Sequence, residues 1–216
     1  PAALCRIDAA LAVQRVLQRP AEDVAATRMN RAVVLCRMHR FGEARAELEA
    51  CLALFHNDPV RSTKVLSSLA DLFDEQADIA QAITQQRRAL ALSEQLPDPT
   101  DRAHSHNNLA IYLERCGTAS ALTESPGHQL AALVYRLVAG LGQHLQTSLH
   151  NYALHMRRAR AAGSVATISR VADLLADPAF ASLAQWLSQR QVDRDELQAA
   201  VDQLLEQVRQ AAFANP

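Results

Sequence analysis

A small polar residue followed two places later by alanine recurs four times along this chain, each time opening an apolar run. The four stretches are Asn30-Arg-Ala-Val-Val-Leu, Ser68-Leu-Ala-Asp-Leu-Phe, Asn108-Leu-Ala-Ile-Tyr-Leu and Asn151-Tyr-Ala-Leu-His-Met. Their alanines, Ala32, Ala70, Ala110 and Ala153, stand 38, 40 and 43 residues apart. That spacing holds two antiparallel helices and their turns, and a sustained period of this length marks a helical-repeat architecture. A second apolar stripe follows within the first two periods. Phe41-Gly-Glu-Ala44 leads into Leu48, Cys51 and Leu52, and Ile79-Ala-Gln-Ala82 leads into Ala89, Leu90 and Leu92. These positions follow the 3.6-residue period of a helix with one buried face. Alanine sits where two helices approach closely and larger apolar residues fill the space a turn away. His56-Asn-Asp-Pro59 and Leu96-Pro-Asp-Pro99 break the chain after each pair.

Through Asn30-Arg-Ala, Arg40-Phe-Gly-Glu-Ala44 and Cys51-Leu, then Ser68-Leu-Ala, Asp78-Ile-Ala-Gln-Ala82 and Ala89-Leu, the chain resembles the tetratricopeptide repeat family. The resemblance runs from about residue 25 to residue 163. It implies an all-α fold, an α-α superhelix of about four helix pairs closed by C-terminal capping helices. Repeats longer than the usual ~34 residues resemble those of kinesin light chain and of peptide-sensing regulators of Gram-positive bacteria. In the third pair, Thr118-Ala-Ser-Ala-Leu-Thr-Glu-Ser-Pro-Gly127 replaces the family's tight turn, so residues 117–127 read as an inserted polar loop or lid, with the second helix from His128 to about Leu141. The fourth pair has a first helix over about 145–162 and a poorer second one over 165–176. Residues 1–24, with Leu4, Ile7, Leu11 and Val16, read as a helix that is the second half of a preceding repeat. The absence of an initiator Met points the same way, to a piece of a longer chain. Residues 164–216 read as the helical cap: Asp177-Pro-Ala-Phe180 starts a short helix through Leu183 and Leu187, and Asp193-Arg-Asp-Glu196 starts the last one. A solenoid needs such a cover for its last open face.

In the family's superhelix the first helices line the concave side. Residues four, three and four apart share one helical face. This selects Ala26, Asn30, Val33 and Arg37, then Lys64, Ser68, Asp71 and Glu75, then His104, Asn108, Ile111 and Arg115, and finally Thr147, Asn151, Leu154 and Arg158. An amide carries a donor and an acceptor and can pair with an extended peptide backbone whatever its sequence. The resemblance gives Asn30, Asn108 and Asn151 that role. The alternative is that these amides bond within the solenoid. Arg37, Arg115, Arg157 and Arg158 suit carboxylates through their forked guanidinium groups, the alternative being that they are solvated charges on the helix surface. Asp71 in the second stripe makes the expected ligand one of mixed charge. Met29 and Val33 occupy the positions where the chaperone-type clamp for a C-terminal carboxylate has a Lys or Arg and an Asn, which speaks against chaperone-tail binding.

Composition narrows the function further. The 22 basic and 23 acidic residues are interspersed, and aromatic residues make up 4% of the chain. No single-sign field or stacking platform for nucleic acid follows from that, and no partner membrane. No 18-residue apolar run is present, and the N-terminus lacks a signal-peptide pattern, so the expectation is a soluble cytoplasmic protein. Cys5, Cys36, Cys51 and Cys116 form no CxxC pair and fall on apolar helical positions, which reads as small core residues in a reducing compartment. The eight histidines show no metal-ligand spacing, and neither a phosphate loop nor a nucleophile turn is present. The expectation is a non-catalytic protein- or peptide-binding module with no cofactor and no metal. Self-assembly into a homodimer through the terminal helices is the alternative. A small-molecule sensor with a pocket beneath residues 117–127 is a third reading.

Overall fold

The computed structural model describes residues 2–161 and 170–214, and among them the chain is helical with no strand. The fold is an all-α helical repeat. The chain divides into two compact units, residues 1–96 and 97–216.

The first unit holds α1 (Ala2–Val16), α2 (Ala21–Arg37), α3 (Phe41–Leu54), α4 (Pro59–Glu75) and α5 (Ile79–Ser93). α2 with α3 and α4 with α5 are the two hairpins that the alanine spacing predicts. Ala32, Ala70, Ala44 and Ala82 are all buried, so each hairpin closes on side chains of one carbon. Leu35, Leu48, Cys51, Val65, Leu66 and Leu69 fill the core between hairpins. Burying each leucine is worth about 1.5–3 kcal/mol relative to leaving it in water.

The ends of these helices are written into the sequence. Asp58 accepts the backbone N–H of Arg61 at 2.9 Å with Pro59 in the first turn of α4, and Asp78 accepts that of Gln81 at 3.1 Å. The hairpin turns reuse one C-terminal motif. His39 and Ala77 each adopt a left-handed backbone, with φ of 56° and 61°. The next amide then returns to the helix, Arg40 N–H to the carbonyl of Leu35 and Asp78 N–H to that of Phe73, both at 2.9 Å. A network of ion pairs joins α1, α2 and α3: Arg31 donates to Asp8 at 2.8 Å and to Glu47 at 3.0 Å, and Arg28 shares Glu47.

The second unit holds α6 (Pro99–Cys116), α7 (Ala119–Val138), α8 (Gly142–Ala161), α9 (Val171–Ala176), a 3-10 turn (Pro178–Phe180), α10 (Ala181–Gln189) and α11 (Arg194–Ala214). Here one expectation is overturned. Residues 117–127 are neither loop nor lid. Gly117, with φ of 68°, ends α6 in the same left-handed conformation as His39 and Ala77, and like them stands seven residues after its repeat alanine. Thr118 caps α7 by accepting the N–H of Ala121 at 3.3 Å, so the helix starts at Ala119 and not at His128.

Pro126 lies inside that helix, where it removes one backbone donor and normally costs about 3 kcal/mol. Tertiary packing outweighs the penalty. Ser125, Pro126 and Gly127 are buried, and the Ser125 hydroxyl donates to the carbonyl of Ala110 at 3.1 Å, locking α7 onto α6 where Ala110 leaves room.

From Ser125 to Arg136 every residue of α7 is buried, because this helix is covered on several sides. Leu130, Leu133, Val134 and Tyr135 share one core with Leu149 and Tyr152 of α8, with Val171 and Leu174 of α9, and with Phe180, Leu183, Trp186, Leu187, Leu197 and Val201 beyond them. Asp177 and Asp193 cap the 3-10 turn and α11 as their sequence positions predict. The side chain of Ala153 lies outside those described, as do residues 162–169, on which the start of the fourth second helix falls. A further correction concerns the cysteines: Cys51 is buried, Cys36 and Cys116 are half-buried, but Cys5 is exposed on α1.

Candidate ligand-binding surfaces

In the first unit the adjacent first helices α2 and α4 leave two grooves. One has a volume of about 470 Å³ and is floored by Ala32, Val33, Leu48 and Leu72, with Cys36 beside them. Arg37 and His39 rim it from the α2 side, and Ser68, Asp71, Asp74 and Glu75 from the α4 side. The other, about 490 Å³, is lined by Gln14, Ala26, Met29, Phe55, Arg61 and Lys64 among others. Of the residues selected from the sequence, Arg37, Ser68 and Asp71 therefore meet in one groove and Lys64 lines the second. Asn30 is exposed on α2 and lines neither. Ser68 turns its hydroxyl back to the carbonyl of Lys64 at 3.1 Å, so its proton is taken up within α4. Burial, then the carboxylates of Glu75 and Asp71, push the Cys36 thiol above its ordinary range. The floor of this groove thus feels negative potential from the α4 rim, with Arg37 opposing it.

In the second unit Asn108 and Asn151 are half-buried, and His104 and Arg115 are exposed. The side chain of Arg158 lies outside those described. The asparagines do not stand as separate rungs. Asn151 Nδ2 donates to Asn107 Oδ1 at 3.0 Å, and Asn107 Nδ2 contacts Asn108 Oδ1 at 3.4 Å, so three amides from α6 and α8 form one chain. Asn107, next to the selected position, is the one that meets α8.

Two features of this unit were not legible as a site. His106 is fully buried, and its Nδ1 lies 2.8 Å from Nδ1 of His128, whose Nε2 reaches Glu124 Oε1 at 3.2 Å. His106 stacks on Tyr135 and Phe180, each at 5.8 Å between ring centres. Burial first, then the neighbouring His128 and Arg102, hold His106 well below the usual histidine range. The sequence offered nothing to pair His106 with a residue 22 positions on. The second feature is Arg136, a buried arginine inside the apolar run of α7. Its only sequence signal is a charge in a stretch otherwise free of them.

Two helical hairpins, with an open, polar-rimmed seam between their first helices, give the first unit a helical-repeat architecture. Residues 23–95, which span α2 to α5, match the family model described as tetratricopeptide repeat, and this supports a tetratricopeptide repeat protein. No curated protein matches the chain. Repeats of this kind generally mediate protein–protein interaction and scaffolding, and the family is typically non-catalytic. No helix among the described residues is long and apolar enough to cross a membrane.

Proposed function

We propose that this chain is a non-catalytic module that holds a protein or peptide segment against its first helices, as a regulatory or scaffold part of a larger protein. The observation that carries the reading is the α2–α4 groove, with an apolar floor, one cationic rim and one acidic rim. An extended segment of mixed charge fits it: small apolar side chains cover Val33, and basic and acidic ones face Asp71 and Arg37. Within the second unit, Asn108 and Arg115 offer the same chemistry by themselves, and Asn151 acts through its bond to Asn107. The 38- and 40-residue spacings, longer than the usual repeat, fit the type that resembles kinesin light chain.

The test is a selection of binding peptides from a random display library, followed by calorimetric titration of the winners. Val33→Glu puts a charge on the groove floor at a side chain 44% exposed, where the fold tolerates it. Affinity should fall at least tenfold with the helical circular dichroism unchanged, since an uncompensated charge in a desolvated contact costs more than about 1.4 kcal/mol. Peptides that bind both forms equally place the ligand elsewhere.

A second reading, self-association, is favoured by α1. This helix buries only Leu4, while Val13, Val16 and Leu17 at its end are 56%, 81% and 65% exposed. An equilibrium sedimentation run on the native chain and on Val13→Lys/Val16→Lys separates the two. A dimer dissolved by those changes supports assembly, and a monomer in both cases removes it.

A further inference from the structure

Where α6 begins, α7 ends and α8 begins, the second unit gathers positive and protonatable groups around an arginine that has no counter-ion among the described residues. Arg136, 3% exposed on α7, donates from Nη1 to the backbone carbonyl of His144 at 3.0 Å and to the hydroxyl of Ser148. Its Nε is buried without an acceptor. A carbonyl and a hydroxyl answer hydrogen bonds but not the charge, and a buried guanidinium without an anion is costly. Burial accordingly lowers the Arg136 pKa.

Beside it His104 of α6 and His144 of α8 meet edge to face, their ring centres 5.1 Å apart at 90°. Both residues are exposed. One edge of His104 stays open to solvent, yet packing on the protein side first, and then Arg136 and His144, hold it below the usual histidine range. Asp101 and Asp98, in and before the first turn of α6, act the other way with smaller effect. Asp98 is already engaged in capping α6, and Arg102 lies over the Tyr135 ring at 5.9 Å. The first turn of α8, with no acidic residue in it, adds the positive end of a helix dipole.

We propose that this cluster binds an oxyanion, specifically a carboxylate of a bound protein segment, with His104 and His144 as the contacting groups and Arg136 as the positioned charge behind them. The proposal deepens the peptide-binding reading and rests on it for the occupant, while the anion site itself is testable without any peptide. An anion against the solvent-facing edges of the two rings favours the protonated form of His104 and supplies the negative charge that Arg136 lacks among the described residues. Carboxylate and phosphorylated side chains share this chemistry, and the test separates them.

The experiment follows the ring protons of all eight histidines by NMR between pH 5.5 and 8, on the full chain at matched ionic strength. Chloride, acetate and inorganic phosphate are compared. With saturating acetate the titration midpoint of His104 should rise by roughly one pH unit, and the ring-proton shifts of His144 should move with it, while the ring protons of the other histidines stay in place. Arg136→Met should abolish the rise. Because that variant removes a buried anchor of α8, His144→Gln is the second: it alters an exposed ring, and acetate affinity read at His104 should fall about tenfold. No rise with either anion, an equal rise at all histidines, or full affinity in His144→Gln overturns the site. A rise with phosphate and none with acetate overturns the carboxylate assignment. If both rings respond to acetate while no peptide is recovered in the display selection, the anion site stands and the peptide-binding reading fails.

Discussion

The buried imidazole pair of the second unit makes a specific prediction about acid. The 2.8 Å contact between Nδ1 of His106 and Nδ1 of His128 needs one donor and one acceptor. Because Glu124 accepts from Nε2 of His128, the neutral arrangement has His106 donating to His128. An added proton places positive charge between the rings of Tyr135 and Phe180, near Arg102, with Glu124 on the far side of His128. His106 therefore stays neutral in the folded state well below its ordinary value of 6.5. The unfolded chain binds that proton and the folded chain does not, so stability is unaffected above 6.5 and falls as pH drops below it. The loss approaches about 1.4 kcal/mol per pH unit for one group, and ceases once the folded state titrates too.

The perturbation is His106→Phe, which keeps a ring for Tyr135 and Phe180 to stack on and removes the titration. Trp186, the one tryptophan of the chain, lies 4.9 Å from the Tyr135 ring and reports unfolding of this unit by fluorescence. Urea unfolding at pH 7.5, 6.5, 5.5 and 5.0 should show native stability falling more steeply with acid than that of the variant, the difference growing by up to about 1.4 kcal/mol per unit. The variant starts lower at pH 7.5, since His128 loses its Nδ1 partner, at a cost of roughly 1–3 kcal/mol. Parallel pH profiles for the two proteins would refute the assignment of the proton to His106.

Gly117→Ala should lower stability by roughly 1–2 kcal/mol, because φ of 68° is left-handed and a new Cβ meets nothing closer than the Glu114 carbonyl at 4.0 Å, leaving backbone strain as the cost. Urea unfolding followed at Trp186 measures it, and a loss above about 3 kcal/mol would reveal crowding that the fold does not contain. Among the cysteines, Cys5 should react with a chromogenic disulfide within seconds at pH 8. Cys36, half-buried at the groove with its thiol pushed up, should react more slowly than Cys5, and Cys51, fully buried, should wait for unfolding. Mass spectrometry after brief labelling identifies which residue carries the tag.

The hairpins of the first unit were legible because every level of the sequence agrees there. Ala32 and Ala44, or Ala70 and Ala82, set the close contacts, and Asp58-Pro59 and Asp78 start helices where the apolar stripes begin. The third pair misled because Pro126 and Gly127 are local breakers and the strongest punctuation in that stretch. Counting from the repeat alanine would have corrected it. His39, Ala77 and Gly117 each stand seven residues after Ala32, Ala70 and Ala110, and each takes the left-handed turn. Register outranks propensity here because α7 is buried on several sides, so its helix is stabilised by packing and not by the residues' own preferences.

The candidate sites divide along the same line. Periodicity places residues on a face of one helix, which suffices for Arg37, Ser68 and Asp71, because α2 and α4 simply lie side by side and their facing stripes form the groove. It does not say which residue of a neighbouring helix comes opposite. That depends on the axial offset between helices, and one residue of offset decides whether Asn151 meets Asn107 or Asn108. Nor does a concave-face rule find Arg136. It sits on a second helix within the core, and its charge becomes chemically useful only through three elements meeting: His104 from α6, its own place near the end of α7, and His144 with Ser148 from α8. A search confined to first helices therefore recovers the α2–α4 groove proposed for an extended segment and misses the buried guanidinium behind the proposed anion site. A buried cation lacking an anion among the described residues constrains the ligand more tightly than a row of amides, which accept any backbone.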